Sequence, residues 1–171
     1  VLKINTKSLH SLSYGLYVVT SKKDGKYNGQ IANTVFQVTS SPATIAVSVN
    51  KQNLTHEYIR ASGSFTVSVL SKDTPLPFIG RFGFRSGREI DKLEGTNFKI
   101  GNSGVPIVLD NALIWLEAKV MKKLDINSHS LFIGEVIDAD VLVDGEPMTY
   151  AHYRLVKKGV VPKNAPTYME E

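Results

Sequence analysis

Apolar and small polar positions alternate with a period of two along much of this chain, which is the mark of half-buried strands. Leu12 to Thr20 is rich in aromatic and β-branched residues and predicts a strand. The Asp24-Gly25 pair favours positive φ in a tight hairpin turn, so Tyr27 to Val35 is expected to return antiparallel. Thr44 to Val49 sets Ile45, Val47 and Val49 against smaller residues, and Phe65 to Leu70 alternates likewise. Val105 to Leu109 predicts a short piece of strand. Leu113 to Asp125 predicts a long one, with Ile114, Leu116, Ala118 and Val120 on one face and Trp115, Glu117 and Lys119 on the other. Leu131 to Val143 predicts another, where Gly134 marks a bulge or bend. After an Asp144-Gly145 turn, Met148 to Val156 predicts a last strand.

The period changes twice. Leu54 to Ala61 predicts a short helix, with Leu54, Tyr58 and Ile59 on its inner face and Asn53 or Thr55 as its cap. Thr74 to Gly83 predicts a second, with Pro75 in its first turn. Arg85 to Arg88 is expected as a loop and Ile90 to Phe98 as irregular chain. Many strands, tight turns and only short helices indicate a mainly β fold, a closed antiparallel sheet with a few short helices. One domain over 1–156 is expected, followed by an extended C-terminal tail over 157–171 that Pro162 and Pro166 keep irregular.

Gly29 to Pro42 (Gly-Gln-Ile-Ala-Asn-Thr-Val-Phe-Gln-Val-Thr-Ser-Ser-Pro) departs from plain alternation. Its hydroxyls and amides share the run with Val35, Phe36 and Val38, so it can bury one side and line a polar ligand site with the other. A sheet edge ending in a Ser-rich turn accounts for the same residues.

Composition narrows the classes. The 171 residues are 42% hydrophobic and 21% charged, as in an ordinary globular protein. No apolar run reaches the roughly 18 residues that cross a bilayer, and no leader opens the chain, so a cytoplasmic protein without a membrane span is expected. There is no cysteine, which excludes thiolate metal sites and Fe–S clusters. The net charge of +4 is scattered in short groups rather than gathered on an aromatic-rich face, so nucleic-acid binding is not expected. It suits a small anionic ligand.

No pair of the four histidines has metal-ligand spacing, and the chain has no nucleophile elbow, P-loop or Gly-x-Gly-x-x-Gly run. Difficult chemistry would therefore be carried by a cofactor. Three further stretches could serve one. In Val49 to Thr55 a strand ends, Lys51 follows and a helix begins, so Lys51 and Thr55 or Asn53, with free helix N–H groups, could cradle a phosphate. Phe82, Gly83, Ser86, Gly87 and Arg88 combine close backbone approach, donors and ring-covering aromatics. His129 stands at the start of a strand.

Taken together, Tyr14 to Thr20, Gln30 to Thr34, Ser41-Pro42, Thr55 to Ile59 leading into Gly63 to Leu70, and His129 to Val136 resemble the flavin reductase-like family. The likeness runs from Ile4 to Tyr153. Within the family the chain is similar to the flavoprotein domain of high-molecular-weight rubredoxins. There a tail similar to Lys157–Tyr168 leads into a rubredoxin domain, whose iron-binding cysteines this chain, ending at Glu171, does not carry.

The resemblance implies an FMN-binding split β-barrel of Greek-key order, a homodimer, and one FMN per subunit. By the same likeness Gln30, Ile31, Ala32, Asn33 and Thr34 line the isoalloxazine, with Asn33 and Thr34 acting through side chains. Asn50, Lys51 and Thr55 hold the phosphate. Phe82, Gly83, Ser86, Gly87 and Arg88 close over the flavin, and His129 meets the nicotinamide of NAD(P)H. The Gly-Asp usual before that His is Asn127-Ser128 here. The implied activity is an NAD(P)H:flavin reductase-like oxidoreductase passing electrons through FMN to an acceptor. The alternative is an FMN electron-transfer carrier, reduced by a separate reductase or rubredoxin and donating to an oxygen- or NO-reducing partner. A split barrel that binds a ligand and does no redox work is a third reading.

Overall fold

The first hairpin forms where the pattern puts it. Tyr17–Lys23 (β1) and Lys26–Ala32 (β2) pair antiparallel, and Asp24 and Gly25 take φ of 50° and 73° in the turn between them. These are the two positive-φ positions that a two-residue hairpin turn demands. In the computed structural model, which describes residues 4–169, β1 begins five residues later than the pattern predicts. Thr6–Ser11 forms a 3₁₀ turn instead, opened by Asn5, whose side chain accepts from the Lys7 N–H.

The largest departure falls in the run from Gly29 to Pro42. It holds two strands, not one strand and a turn. β2 stops at Ala32, and Val35–Ser40 (β3) begins after Asn33 and Thr34, pairing with Ala43–Asn50 (β4) across a turn with a cis Ser41–Pro42 bond. Ser64–Leu70 (β5), Ala112–Ile126 (β8) and His129–Val141 (β9) complete a seven-stranded antiparallel sheet of order β2-β1-β5-β8-β9-β4-β3. β2 and β3 are thus its opposite edges, joined by two residues. An extended chain covers at most about 3.6 Å per residue, so edges joined this way cannot lie more than about 11 Å apart. The sheet must curl into a barrel, and the Ser48 N–H donates to the Thr34 carbonyl (3.1 Å), extending the β3–β4 ladder into the connection between its edges. Phe98–Ile100 (β6) and Pro106–Val108 (β7) form a separate small hairpin.

Period two sorts the strand residues between two cores. Val19, Val47, Val49, Phe65, Val67 and Phe132 fill the barrel, where Ile59 of the helix Leu54–Ser62 (α1) joins them. Val18 and Leu70 face outward, against Ile79 and Phe82 of the helix Leu76–Phe84 (α2). On the same outer face the hydroxyls of Thr66 and Ser68 donate to the carbonyls of Pro106 (2.8 Å) and Val108 (2.7 Å), so small polar residues dock β7 onto β5. Gly134 is needed for close approach. A Cβ there would lie 2.9 Å from Phe65 and 3.0 Å from Ala118, and the extra residue of the neighbouring bulge, Met121, belongs to β8.

Ala118, Leu116 and Val120 face the barrel core as the alternation in β8 predicts, and Trp115 and Glu117 on its other face are also buried. The Glu117 carboxylate accepts from the backbone N–H groups of Asn102 (3.0 Å) and Ser103 (2.7 Å), which satisfies it inside the fold. Met148–Val156 is not the strand that the pattern predicts. Pro147 and Thr149 make isolated bridges to Ser71 and Gly15, and His152–Val156 winds into a π-helical turn. Its apolar residues pack singly, Met148 and Tyr153 inward while Leu155 and Val156 stay exposed, so no sheet edge takes them up.

Candidate functional site

A cavity of about 540 Å³ opens where β2, the start of α1 and the end of α2 converge. That size suits a cofactor. Its wall holds most of the residues singled out in the sequence: Gln30, Ile31, Ala32 and Asn33 from β2 and its exit, Asn50 and Thr55 around the start of α1, and Phe82, Gly83, Ser86, Gly87 and Arg88 from α2 and the following loop. Thr34 and Lys51 lie outside the wall, Thr34 in the connection between the sheet edges and Lys51 exposed on the turn before α1.

The start of α1 is built to receive an anion. Asn53 is its N-cap, yet the Asn53 side chain does not cap it. Its Nδ2 donates to Gln30 Oε1 (3.0 Å), and its Oδ1 accepts from Asn164 Nδ2 (3.0 Å). The His56 and Glu57 N–H groups turn back to the Asn53 carbonyl, while those of Leu54 and Thr55 have no acceptor among the described residues. These are the orphan donors of a helix N-terminus, where the helix dipole favours negative charge. Buried Thr55 accepts from Asn28 Nδ2 through Oγ1 (2.8 Å), which leaves its own O–H to donate. Four basic residues line the cavity, Arg85, Arg88, Lys92 and Lys163, and no acidic one does among the described residues.

The loop after α2 is fixed from both sides. Arg81 donates through Nε to the Lys92 carbonyl (2.9 Å) and through its other nitrogen to the Asp91 carbonyl (3.0 Å). This turns the Lys92 side chain inward, where its ammonium donates to the carbonyls of Gly29 and Phe82, each at 3.0 Å. Burial pushes the Lys92 ammonium down to about 8. Arg88 reaches Glu57 (3.4 Å), which also pairs with Lys23. Phe82 is fully buried and forms part of the floor.

The amides expected to face a ligand are partly engaged within the protein. Asn33 Oδ1 accepts from the Thr34 hydroxyl (2.9 Å), and Asn33 Nδ2 donates to Thr167 Oγ1 (2.7 Å). Asn50 Oδ1 accepts from the Gln52 N–H (2.9 Å). The outer wall comes from Val160 to Pro166, part of the expected tail. These residues have no regular structure but lie against the barrel.

His129 lines an adjoining cavity of about 490 Å³ that shares Ser48, Asn50, Lys163, Ala165 and Pro166 with the first. Its Nδ1 meets the Ser128 hydroxyl (2.8 Å), and its Nε2 is buried without a partner. Burial holds the imidazole below its ordinary value, against an opposing pull from the Asn164 carbonyl.

Asn28, Lys92, Tyr150, Tyr153 and the 160–166 segment were not singled out in the sequence. The one signal for Asn28 is a polar residue beside Gly29 in an otherwise strand-like run. Lys92 sits in irregular sequence, and its inward turn depends on Arg81, eleven residues earlier.

The comparisons with known proteins agree with this geometry. Residues 9–159 match the family described as flavin reductase like domain. The chain is 56% identical to a high molecular weight rubredoxin of Moorella thermoacetica, over 96% of this chain and 72% of that one. It is 51% identical to a ferric-chelate reductase (NAD(P)H) of Archaeoglobus fulgidus, over 98% of this chain and 99% of that one. Among solved structures it is similar to an NADH:FAD oxidoreductase of Streptomyces globisporus C-1027, with a TM-score of 0.76 and 25% identity over 85% of this chain and 86% of that one.

Proposed function

The chain belongs to the flavin reductase-like family, and from that footing we propose that it is an NAD(P)H-dependent oxidoreductase whose cavity holds FMN. The observation that carries the FMN reading is the start of α1. Two uncommitted N–H groups, the Thr55 hydroxyl and a wholly basic set of charged wall residues suit a terminal phosphate. Bound there, the flavin would accept a hydride from the nicotinamide and release electrons to an acceptor.

The chain's own residues then have separate tasks. Leu54, Thr55 and Ser86 donate to the phosphate, and exposed Lys51 adds positive field at the mouth. Gln30 to Ala32 present backbone groups to the ring's polar edge. The Gln30 and Asn33 side chains already have protein partners, so they stiffen that wall. Lys92 holds β2 and α2 at a fixed spacing through the Gly29 and Phe82 carbonyls, which sets the width of the slot. His129, whose imidazole burial holds below its ordinary value, lines the neighbouring cavity, where a nicotinamide would approach.

A homodimer is part of the same reading. Phe36 stands across β4 and β9 from Lys122, on the barrel's outer face with Leu124 and Ile126. Phe36, Leu124 and Ile126 are exposed, and such an apolar face supports a second copy as its cover. The likeness to the Moorella protein supports the alternative, an FMN carrier that receives its electrons from another redox protein. The likeness to the Archaeoglobus protein makes a ferric chelate the first acceptor to try.

The test is a visible spectrum of the purified protein, followed by NADH or NADPH without oxygen. We expect a yellow protein that binds FMN and bleaches with one of the two nucleotides. A protein that takes up no flavin would sink both redox readings. One that stays yellow with both nucleotides, yet bleaches with a reduced redox partner, would leave only the carrier.

A further inference from the structure

The C-terminal segment is tied down at both sides of the cavity. At its root, Gly159 lies flat on the Tyr153 ring, where a Cβ would come within 2.0 Å of a ring carbon. The Tyr153 hydroxyl donates to the Val160 carbonyl (2.7 Å), and Arg154 donates to that of Gly159 (2.6 Å). Midway, Asn164 Nδ2 donates to Asn53 Oδ1 (3.0 Å) at the start of α1. At the far side, Thr167 Oγ1 accepts from Asn33 Nδ2 (2.7 Å) and meets the Tyr150 hydroxyl (3.2 Å). Two short turns, Ala165 N–H to the Pro162 carbonyl and Tyr168 N–H to that of Ala165, keep the span compact, and Pro162 and Pro166 limit its backbone freedom.

This span walls the cavity without filling it. About 540 Å³ stays open between the barrel and residues 160–166, room for a cofactor-sized ligand with the strap in place. The Asn53–Asn164 bond stands where α1 begins, beside the uncommitted Leu54 and Thr55 donors. A ligand that ends in a phosphate at those donors leaves the pair intact. One that continues past its phosphate, as a dinucleotide does, has to part it.

We infer that residues 160–168 form a retaining strap, and that Asn164, through Asn53, closes the phosphate end of the site so that it holds a flavin mononucleotide in preference to a dinucleotide. This rests on the flavin reading above. Asn164 and Thr167 are specificity and retention residues, and the strap opens for the cofactor to leave.

The test compares the full chain, a chain ending at Pro162 and the Asn164→Ala variant. Pro162 is chosen as the end point because it keeps the Val160 carbonyl on Tyr153. The FMN release rate, followed by recovery of flavin fluorescence, and the ratio of FMN to FAD affinity are measured for each. Losing the three side-chain bonds beyond Pro162 should speed FMN release and lower the FMN-to-FAD ratio, each about tenfold, with Asn164→Ala giving about threefold on both. Flavin uptake with an unchanged release rate and ratio overturns this inference alone. Tighter FMN binding by the shortened chain also overturns it, because the segment would then be a plug. No flavin uptake by any of the three chains overturns the flavin reading and this inference with it.

Discussion

Asn28 on β2 donates to the Thr55 hydroxyl oxygen on α1 at 2.8 Å, and both side chains are buried. The bond joins the strand that walls the cavity to the helix start that would hold a phosphate, and it orients the Thr55 hydroxyl proton outward. Asn28→Ala leaves that hydroxyl free to rotate and removes the brace. FMN affinity should fall by about 1–2 kcal/mol, the loss of one buried hydrogen bond and its orientation. A fluorescence titration that gives the wild-type Kd would remove Asn28 from the site.

Gly87 touches the same bond from the other side. A Cβ at Gly87 would fall 2.0 Å from Asn28 Oδ1, so Gly87→Ala must move either the loop or the Asn28 amide. Flavin affinity should weaken about as much as in Asn28→Ala, and the double variant should lose clearly less than the two single losses added, because both act through one contact. Additive losses would mean that the two residues act separately.

Lys92 carries a pH signature. Its ammonium is pushed down to about 8 in the folded chain, against 10.5 when unfolded. Between those values the unfolded chain binds the extra proton, so this group's contribution to stability rises with pH from about 8 to about 10.5. The stability of the wild type relative to Lys92→Met should therefore improve by about 2 kcal/mol between about pH 7 and about pH 9.5. Urea midpoints of the two chains at both pH values measure it, and a constant difference would show that Lys92 is not buried charged at neutral pH.

His56 links stability to pH in the same sense, over a more acidic range. Burial, with Lys123 and Arg60 nearby, holds His56 below its ordinary value, where its Nε2 meets the Ser130 hydroxyl at 2.8 Å. As pH falls through about 6.5 the unfolded chain takes up a proton that folded His56 resists, so stability drops. His56→Gln keeps a polar partner for Ser130 and cannot titrate. It should lose less stability than the wild type between about pH 7.5 and about pH 5.5, and parallel losses would locate the acid sensitivity elsewhere.

Local chemistry made much of this protein legible in its sequence. Asp24-Gly25 specifies a hairpin turn because few residues take positive φ, and the alternation in Thr44 to Val49 and Phe65 to Leu70 specifies strands with one face in a core. The order of motifs from Tyr14 to Val136 pointed to the family. Tertiary structure decided what depends on partners far along the chain. Nothing between Gly29 and Pro42 announces that Asn33 and Thr34 carry the chain from one edge of the sheet to the other, since that follows only once five further strands close the barrel. Nothing in the sequence around Glu117 announces the N–H groups of Asn102 and Ser103 that satisfy its buried carboxylate. Lys92 reads as solvated until Arg81 turns its backbone, and Val160 to Thr167 read as a loose tail until Tyr153, Asn53 and Asn33 offer it partners. Periodicity and turn propensity act over a few residues and can be read in order. Burying a charge or tying down an irregular segment needs satisfied hydrogen bonds across the fold, and their donors and acceptors meet only in three dimensions.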